Sequence, residues 1–127
     1  VLANLLDNAV KYSGGTRHVT VRVGWSGPLA SVDVMDRGIG VPHADRSRIF
    51  EKFYRGSGEA HHRQGFGLGL TIARDLVHAH RGQLLLHASG PDGSTFRMLL
   101  PATPPALEGG RASAAVHSAR GAVEAAP

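Results

Sequence analysis

Two tracts of alternating apolar residues constrain this chain most: Val19 to Trp25 and Ala30 to Met35, joined through Ser26-Gly27-Pro28. A period of two with many β-branched side chains describes half-buried strands, and the short Gly-Pro link folds them into a hairpin-like pair. The pattern returns further on. Gln83 to Ala88 and Ser94 to Leu100 flank the tight turn Gly90-Pro91-Asp92-Gly93, and Pro101 closes the last strand. Each pair follows a helical pattern. In Val1 to Tyr12, Leu2, Leu5, Leu6 and Ala9 form one stripe, and Asn4, Asn8, Lys11 and Tyr12 share the other face. Leu70, Ile72, Ala73, Leu76 and Val77 mark a second helix that Gly82 stops, while Ser13-Gly14-Gly15 ends the first with a left-handed glycine cap. Asp45 is placed to cap a short helix running to Phe50.

Composition narrows the partners. The 127 residues contain no cysteine, which excludes disulfides and thiolate metal sites. No apolar run reaches the ~20 residues of a membrane span, and no basic-apolar-small signal opens the chain. The net charge of +4 rests on scattered arginines, with only Lys11 and Lys52 as lysines. Such a charge suits nucleic acid, a membrane surface or an anionic small ligand; without a basic run or interleaved aromatics it argues against nucleic acid. Neither the His61-His62 pair nor His78 and His80 has the i, i+4 spacing that puts two rings on one helical face. The segment from Ala102 onward is Ala, Gly, Pro and Ser with few large apolar residues; it reads as a disordered tail behind one domain spanning 1–101.

The chemistry gathers at two glycine-rich stretches. Asp36-Arg37-Gly38-Ile39-Gly40 closes the second strand, and a carboxylate there can accept from an exocyclic amine such as adenine's. The two glycines, lacking Cβ, would let backbone approach a flat ligand. Gly56 to Gln64 reads as a mobile polar loop, ending in Gly65-Phe66-Gly67-Leu68-Gly69-Leu70. Glycines before a helix N-terminus favour phosphate. A Walker loop lacks its Lys-Ser/Thr here; a dinucleotide fingerprint has Leu70 at its third glycine; a eukaryotic-type kinase lacks its lysine strand and catalytic-loop asparagine.

Five stretches in order carry a resemblance. Asn-Leu-Leu-Asp-Asn-Ala-Val-Lys-Tyr-Ser from Asn4, Asp-Arg-Gly-Ile-Gly from Asp36, Ile-Phe-Glu-Lys-Phe-Tyr-Arg from Ile49, Gly-Phe-Gly-Leu-Gly-Leu from Gly65 and Gly-Ser-Thr-Phe from Gly93 resemble the boxes of sensor histidine kinases. The resemblance implies a Bergerat-type α/β fold: a two-layer sandwich whose mixed, mostly antiparallel sheet is covered by helices on one face. It also implies that the first helix begins upstream of Val1, so that the domain is N-terminally truncated. The cofactors it implies are ATP and Mg²⁺. Asn8 would hold the metal, Asn4 would support the same cluster, Lys11 would reach a phosphate oxygen, and Tyr12 would pack on adenine or ribose. Asp36 would take the adenine amine, with Gly38 and Gly40 allowing close approach and Thr95 near the nucleotide. Arg55 and Arg63 would balance charge on the γ-phosphoryl group, and Gly65, Gly67, Leu68 and Gly69 would line the triphosphate. The bland alternatives are a polar surface for Asn4 and Asn8, core aromatics for Tyr12 and Phe53, and a surface charge for Arg55.

By the same resemblance, hydrolytic relatives carry a glutamate where Asn4 stands, and an amide cannot take a proton from water. Asp7 lies about 100° round the helix from Asn8. Transfer to histidine is therefore the expected chemistry, on an acceptor and dimerisation domain outside this sequence, with a response regulator downstream. None of the eight histidines has the His-Glu/Asp-x-x-x-Pro setting of such an acceptor. The expected location is cytoplasmic, with any membrane anchor in the parent protein and no membrane contact by this segment. The competing readings are a non-catalytic ATP-dependent interaction module and an anti-sigma-type serine kinase. Gln64 and Arg81 stand where that family often has glycine.

Overall fold

The computed structural model describes residues 1–57 and 67–103. The chain runs through two helix-strand-strand units: α1 (Leu2–Tyr12), β1 (Val19–Ser26) and β2 (Leu29–Asp36), then α2 (Gly69–Ala79), β3 (Gln83–Gly90) and β4 (Gly93–Pro101). Each unit closes its own antiparallel hairpin, and the units join where β2 pairs antiparallel with β4, giving the order β1-β2-β4-β3. All described pairings are antiparallel. The β2–β4 register sets Met35 opposite Thr95, so the carboxylate end of β2 meets the start of β4.

Both helices cover one sheet face. Val34, Phe96, Met98 and Leu84 project from that face into a core completed by Leu5 and Ala9 of α1 and Ala73 and Val77 of α2. Alternation sends Asp33 and Arg97 to the other face, directly opposite one another across β2 and β4. There the guanidinium forks onto the carboxylate, Nε to Oδ1 at 2.7 Å and Nη2 to Oδ2 at 2.8 Å. These bonds hold the Asp33 carboxyl below its usual range against the opposing pull of burial. Because the folded-state pKa is lowered, this stabilisation is present above the unfolded value near 3.8 and fades as pH falls through the lower folded one. We expect Asp33→Asn to cost about 2 kcal/mol at pH 7, the scale of a hydrogen bond to a charged partner. The difference from the parent chain should shrink below about pH 4; urea titrations at pH 7 and pH 3 that give equal differences would contradict this.

Helix ends follow the sequence at one terminus and depart at the other. Ser13 ends α1 and Gly14 takes a left-handed φ of 66°. At the end of α2 the left-handed residue is Arg81, φ 59°, two residues after the helix stops at Ala79. Gly82 has another duty: a Cβ there would strike the carbonyl oxygen of Leu99. A left-handed conformation costs an L-residue with a Cβ roughly 1–2 kcal/mol, offset partly by glycine's larger unfolded-state entropy. Arg81→Gly should therefore raise stability by roughly 0.5–1 kcal/mol, read as a higher Tm; an unchanged or lower Tm would contradict the assignment.

Asp45 does not cap a helix. His43–Asp45 is one 3-10 turn and residues 46–50 continue as turns, because the Asp45 carboxylate is engaged elsewhere. Phe50 packs edge-on against Phe96, with centroids 6.4 Å apart, while Phe53 is 69% exposed, so the core-aromatic reading fails for Phe53. The loop carrying Arg63 and Gly65 and the Ala/Gly/Pro-rich segment after 103 lie outside the described residues. Among the described residues no helix is long and apolar enough to cross a membrane.

Candidate nucleotide site

A cavity of about 460 Å³ opens between α1, the segment after β2 and the start of α2. Asn4, Asn8, Lys11 and Tyr12 line it from α1, Asp36 from the end of β2, Gly40 from the following loop, Arg55 from the stretch after Phe53, and Gly67, Leu68 and Gly69 from the entrance to α2. Residues as far apart in sequence as Asn4 and Phe96 thus meet at one hollow. Asn4 donates from Nδ2 to the Gly69 carbonyl at 3.2 Å, fastening the start of α1 to the start of α2. At the other end of α1, Gly38 sits so close that a Cβ would overlap the Tyr12 carbonyl oxygen.

These two attachments give the cavity a direction. Asp36 lies at the Tyr12 end, since its Oδ1 accepts the Gly38 amide at 2.8 Å. The α2 N-terminus lies at the Asn4 end. Eight residues of α1 separate Asn4 from Tyr12, about 12 Å at the helical rise. One end offers a half-buried carboxylate acceptor, the other a set of helix N-terminal amides and the positive end of a dipole.

Asp36 is held deliberately. Its Oδ1 also accepts the Ser94 amide at 3.3 Å, a bond available only because β2 and β4 pair. Burial pushes the carboxyl above its ordinary value, and the Gly38 and Ser94 amides pull it partly back. Two further bonds brace the same corner: the Val41 amide donates to Ser89 Oγ at 2.7 Å, and Ser89 Oγ lies 3.1 Å from Ser94 Oγ. Lys11 Nζ stands 5.7 Å from the centre of the Tyr12 ring.

Not every sequence-derived residue reaches the cavity. Thr95 does not line it; strand alternation turns Ser94 and Phe96 inward and sends Thr95 toward a separate hollow on the other side of β4. The inward Phe96 was the available signal for this, since its strand neighbours must point away from it. Gly38 is also absent from the cavity wall, and its missing Cβ serves the Tyr12 backbone rather than a ligand. Gly40 does line the cavity, yet a Cβ there would strike the Gly90 carbonyl. The reverse error concerns Asp7, set aside for its angle from Asn8, which stands on the cavity wall. Its i+3 spacing from Asn4 and i+4 spacing to Lys11 put it within the same arc. Asp45 and Tyr54 line the cavity too and carried no recognisable signal.

The chain is similar to known proteins in both sequence and fold. Residues 1–104 match the family described as histidine kinase-, DNA gyrase B-, and HSP90-like ATPase. The sensor protein KdpD of Escherichia coli (strain K12) is 40% identical over 109 residues, which cover 85% of this chain and 12% of KdpD. The signal transduction histidine-protein kinase/phosphatase MprB of Mycobacterium sp. (strain KMS) is 39% identical over 122 residues, 92% of this chain and 23% of that protein. The chain therefore spans less than a quarter of the length of either relative. Among solved structures, a mycobacterial sensor histidine kinase MprB superposes with a TM-score of 0.66 at 34% identity, over 80% of this chain and 67% of that one. Full-length ShkA in complex with AMPPNP superposes with a TM-score of 0.64 at 31% identity, over 81% of this chain and 21% of ShkA. A shared fold, matching sequence along nearly the whole described chain and a cavity at the expected boxes lead to one conclusion: the chain belongs to the histidine kinase-, DNA gyrase B- and HSP90-like ATPase family, as a catalytic domain of the sensor histidine kinase kind.

Proposed function

We propose that this domain binds ATP with its adenine at Asp36 and its triphosphate directed along α1 to the start of α2, and that it donates the γ-phosphoryl group to a histidine on a separate domain of the parent protein. The observation that carries this reading is the polarity of the cavity, with a desolvated carboxylate at one end and the α2 N-terminus at the other. Both protein amides on Asp36 fall on Oδ1, which leaves Oδ2 as the oxygen we assign to the adenine amine. Tyr12 packs on the base or ribose; Lys11 and Arg55 offset phosphate charge. Gly40, Gly67, Leu68 and Gly69 follow the nucleotide along the wall. Arg63 and Gly65 join this set on sequence resemblance alone.

The donor set also fits Mg²⁺. Among the described residues no group of three or more His, Asp or Glu side chains could hold an ion, so a dedicated protein cage is not what this site offers. The Asn8 amide oxygen on the cavity wall suits a hard ion whose other ligands are phosphate oxygens and water. When bound, such an ion neutralises phosphate charge. Asn4 supports the cluster by holding the two helix starts together.

Transfer is favoured over hydrolysis because Asn4, in the general-base position of hydrolytic relatives, is an amide engaged with Gly69. The carboxylate of Asp7 on the same wall supports a second reading, activation of water. Incubating the chain with γ-labelled ATP, Mg²⁺ and a histidine-bearing hairpin acceptor from a sensor kinase separates the two. Label on the acceptor histidine supports transfer; label released only as inorganic phosphate supports hydrolysis. The parent protein's dimerisation domain and a response regulator are the partners this reading requires.

A further inference from the structure

We propose that Asp45 is a positioning residue that latches the Tyr54–Ser57 stretch so that Arg55 meets the terminal phosphate. The latch rests on the nucleotide reading above and adds to it a determinant of triphosphate recognition. Asp45 is 4% exposed, and among the described residues its three side-chain bonds go to one short stretch. Oδ1 accepts the Tyr54 hydroxyl at 2.6 Å; Oδ2 accepts both the backbone amide and the hydroxyl of Ser57 at 2.9 Å each. These bonds bracket Arg55 and Gly56, both on the cavity wall. A carboxylate meets this demand because it has two acceptor oxygens and no donor.

The anchor side is fixed independently. The Asp45 amide bonds the Pro42 carbonyl at 2.9 Å, and its own carbonyl accepts the amides of Arg48 and Ile49 at 2.8 and 3.0 Å. Next to it, Arg46 reaches the carbonyls of Val41 and Ser89 at 3.1 and 2.9 Å, tying the turn to β3. On the held side the Arg48 guanidinium lies 4.4 Å from the centre of the Tyr54 ring. Asp45 therefore joins a rigid platform to the stretch that carries a phosphate-facing cation, while Asp36, which reads the base, stands on a different element.

That separation defines the test. Losing the latch should weaken ATP and spare ADP, because only ATP carries the phosphate that Arg55 is positioned for. Asp45→Asn keeps only one acceptor oxygen, so it cannot accept from both Tyr54 and Ser57: an amide turned to keep the Ser57 bonds presents its NH₂ to the Tyr54 hydroxyl. Titrating the full chain with fluorescently tagged ATP and ADP in Mg²⁺, we expect this variant to lose about tenfold in ATP affinity with ADP changed less than about twofold, the sort of loss that follows misplacement of a positioned group. Tyr54→Phe should lower the ATP-to-ADP preference in the same direction by about threefold, and should add little in the Asp45→Asn background, because the Tyr54–Asp45 bond it removes is already altered there. Equal losses for ATP and ADP, or an unchanged preference, would overturn the latch. Should Asp45→Asn fail to fold by circular dichroism, Tyr54→Phe decides alone. If the parent chain binds neither nucleotide, the site reading itself falls; if it binds both and only the preference fails to move, the latch falls and the site stands.

Discussion

Asp36→Asn is expected to weaken adenine nucleotides by roughly 5- to 150-fold, the ~1–3 kcal/mol range for leaving a polar group badly matched once the ligand covers it. The substitution keeps shape and leaves an acceptor for the Gly38 and Ser94 amides on the Oδ1 side. What changes is the other atom, where an NH₂ donor would face the donor amine of adenine. Guanine presents a carbonyl in place of that amine, so guanine nucleotides should lose far less, or gain. Burial already raises the Asp36 carboxyl above its ordinary value, so the variant also removes a charge that the fold holds at a cost. It should consequently fold at least as well as the parent at neutral pH. Competition titrations with ATP and GTP against a fluorescent nucleotide read both affinities; equal losses would remove the base-reading role.

The second large effect concerns Asn8. Asn8→Asp keeps the volume and the helix but adds a negative charge beside Asp7, on the wall assigned to the phosphates. Two adjacent carboxylates would repel the triphosphate and change the charge around the ion. We expect phosphoryl transfer to an added acceptor to fall at least about 100-fold, comparable to removing a principal electrostatic contact from a phosphoryl-transfer site. Binding of adenosine, which has no phosphates, should stay within about twofold, since the charge added at residue 8 acts on the phosphates and their ion rather than on the base. Unchanged transfer would count directly against the Asn8 assignment.

The local parts of this fold were readable from periodicity. Four strands and two helices fall where alternation and helical spacing put them, each hairpin closing on its own turn. The pairing of β2 with β4 was not, because nothing in a strand's own pattern names a partner 60 residues away. That single pairing delivers the Ser94 amide to Asp36. The glycine box shows the same limit differently. Its glycines were readable as places of close approach, but not the identity of what approaches: for Gly38 the Tyr12 carbonyl, for Gly40 the Gly90 carbonyl.

Buried polar hubs were the least legible. Asp45 and Tyr54 are nine residues apart with a turn between them, a spacing with no regular period. A carboxylate before Ile49 and Phe50 reads as a helix cap because capping is the commoner local use. Tertiary demand won, since Tyr54 and Ser57 supply three donors that a cap would not satisfy. Phe53 departs for a backbone reason: its left-handed φ of 63° and its amide bond to the Gly67 carbonyl at 3.0 Å hold two ends of chain together and leave the ring outside.

The central claim is that one cavity holds one magnesium-bound adenosine triphosphate between Asp36 and the start of α2. Titration of the chain with a fluorescent ATP analogue, with and without Mg²⁺, tests it most directly. The account predicts saturable binding at one site per chain, tighter with Mg²⁺ and displaced by unlabelled ATP. A chain that folds yet shows no saturable binding, or binding that ATP does not displace, would contradict it.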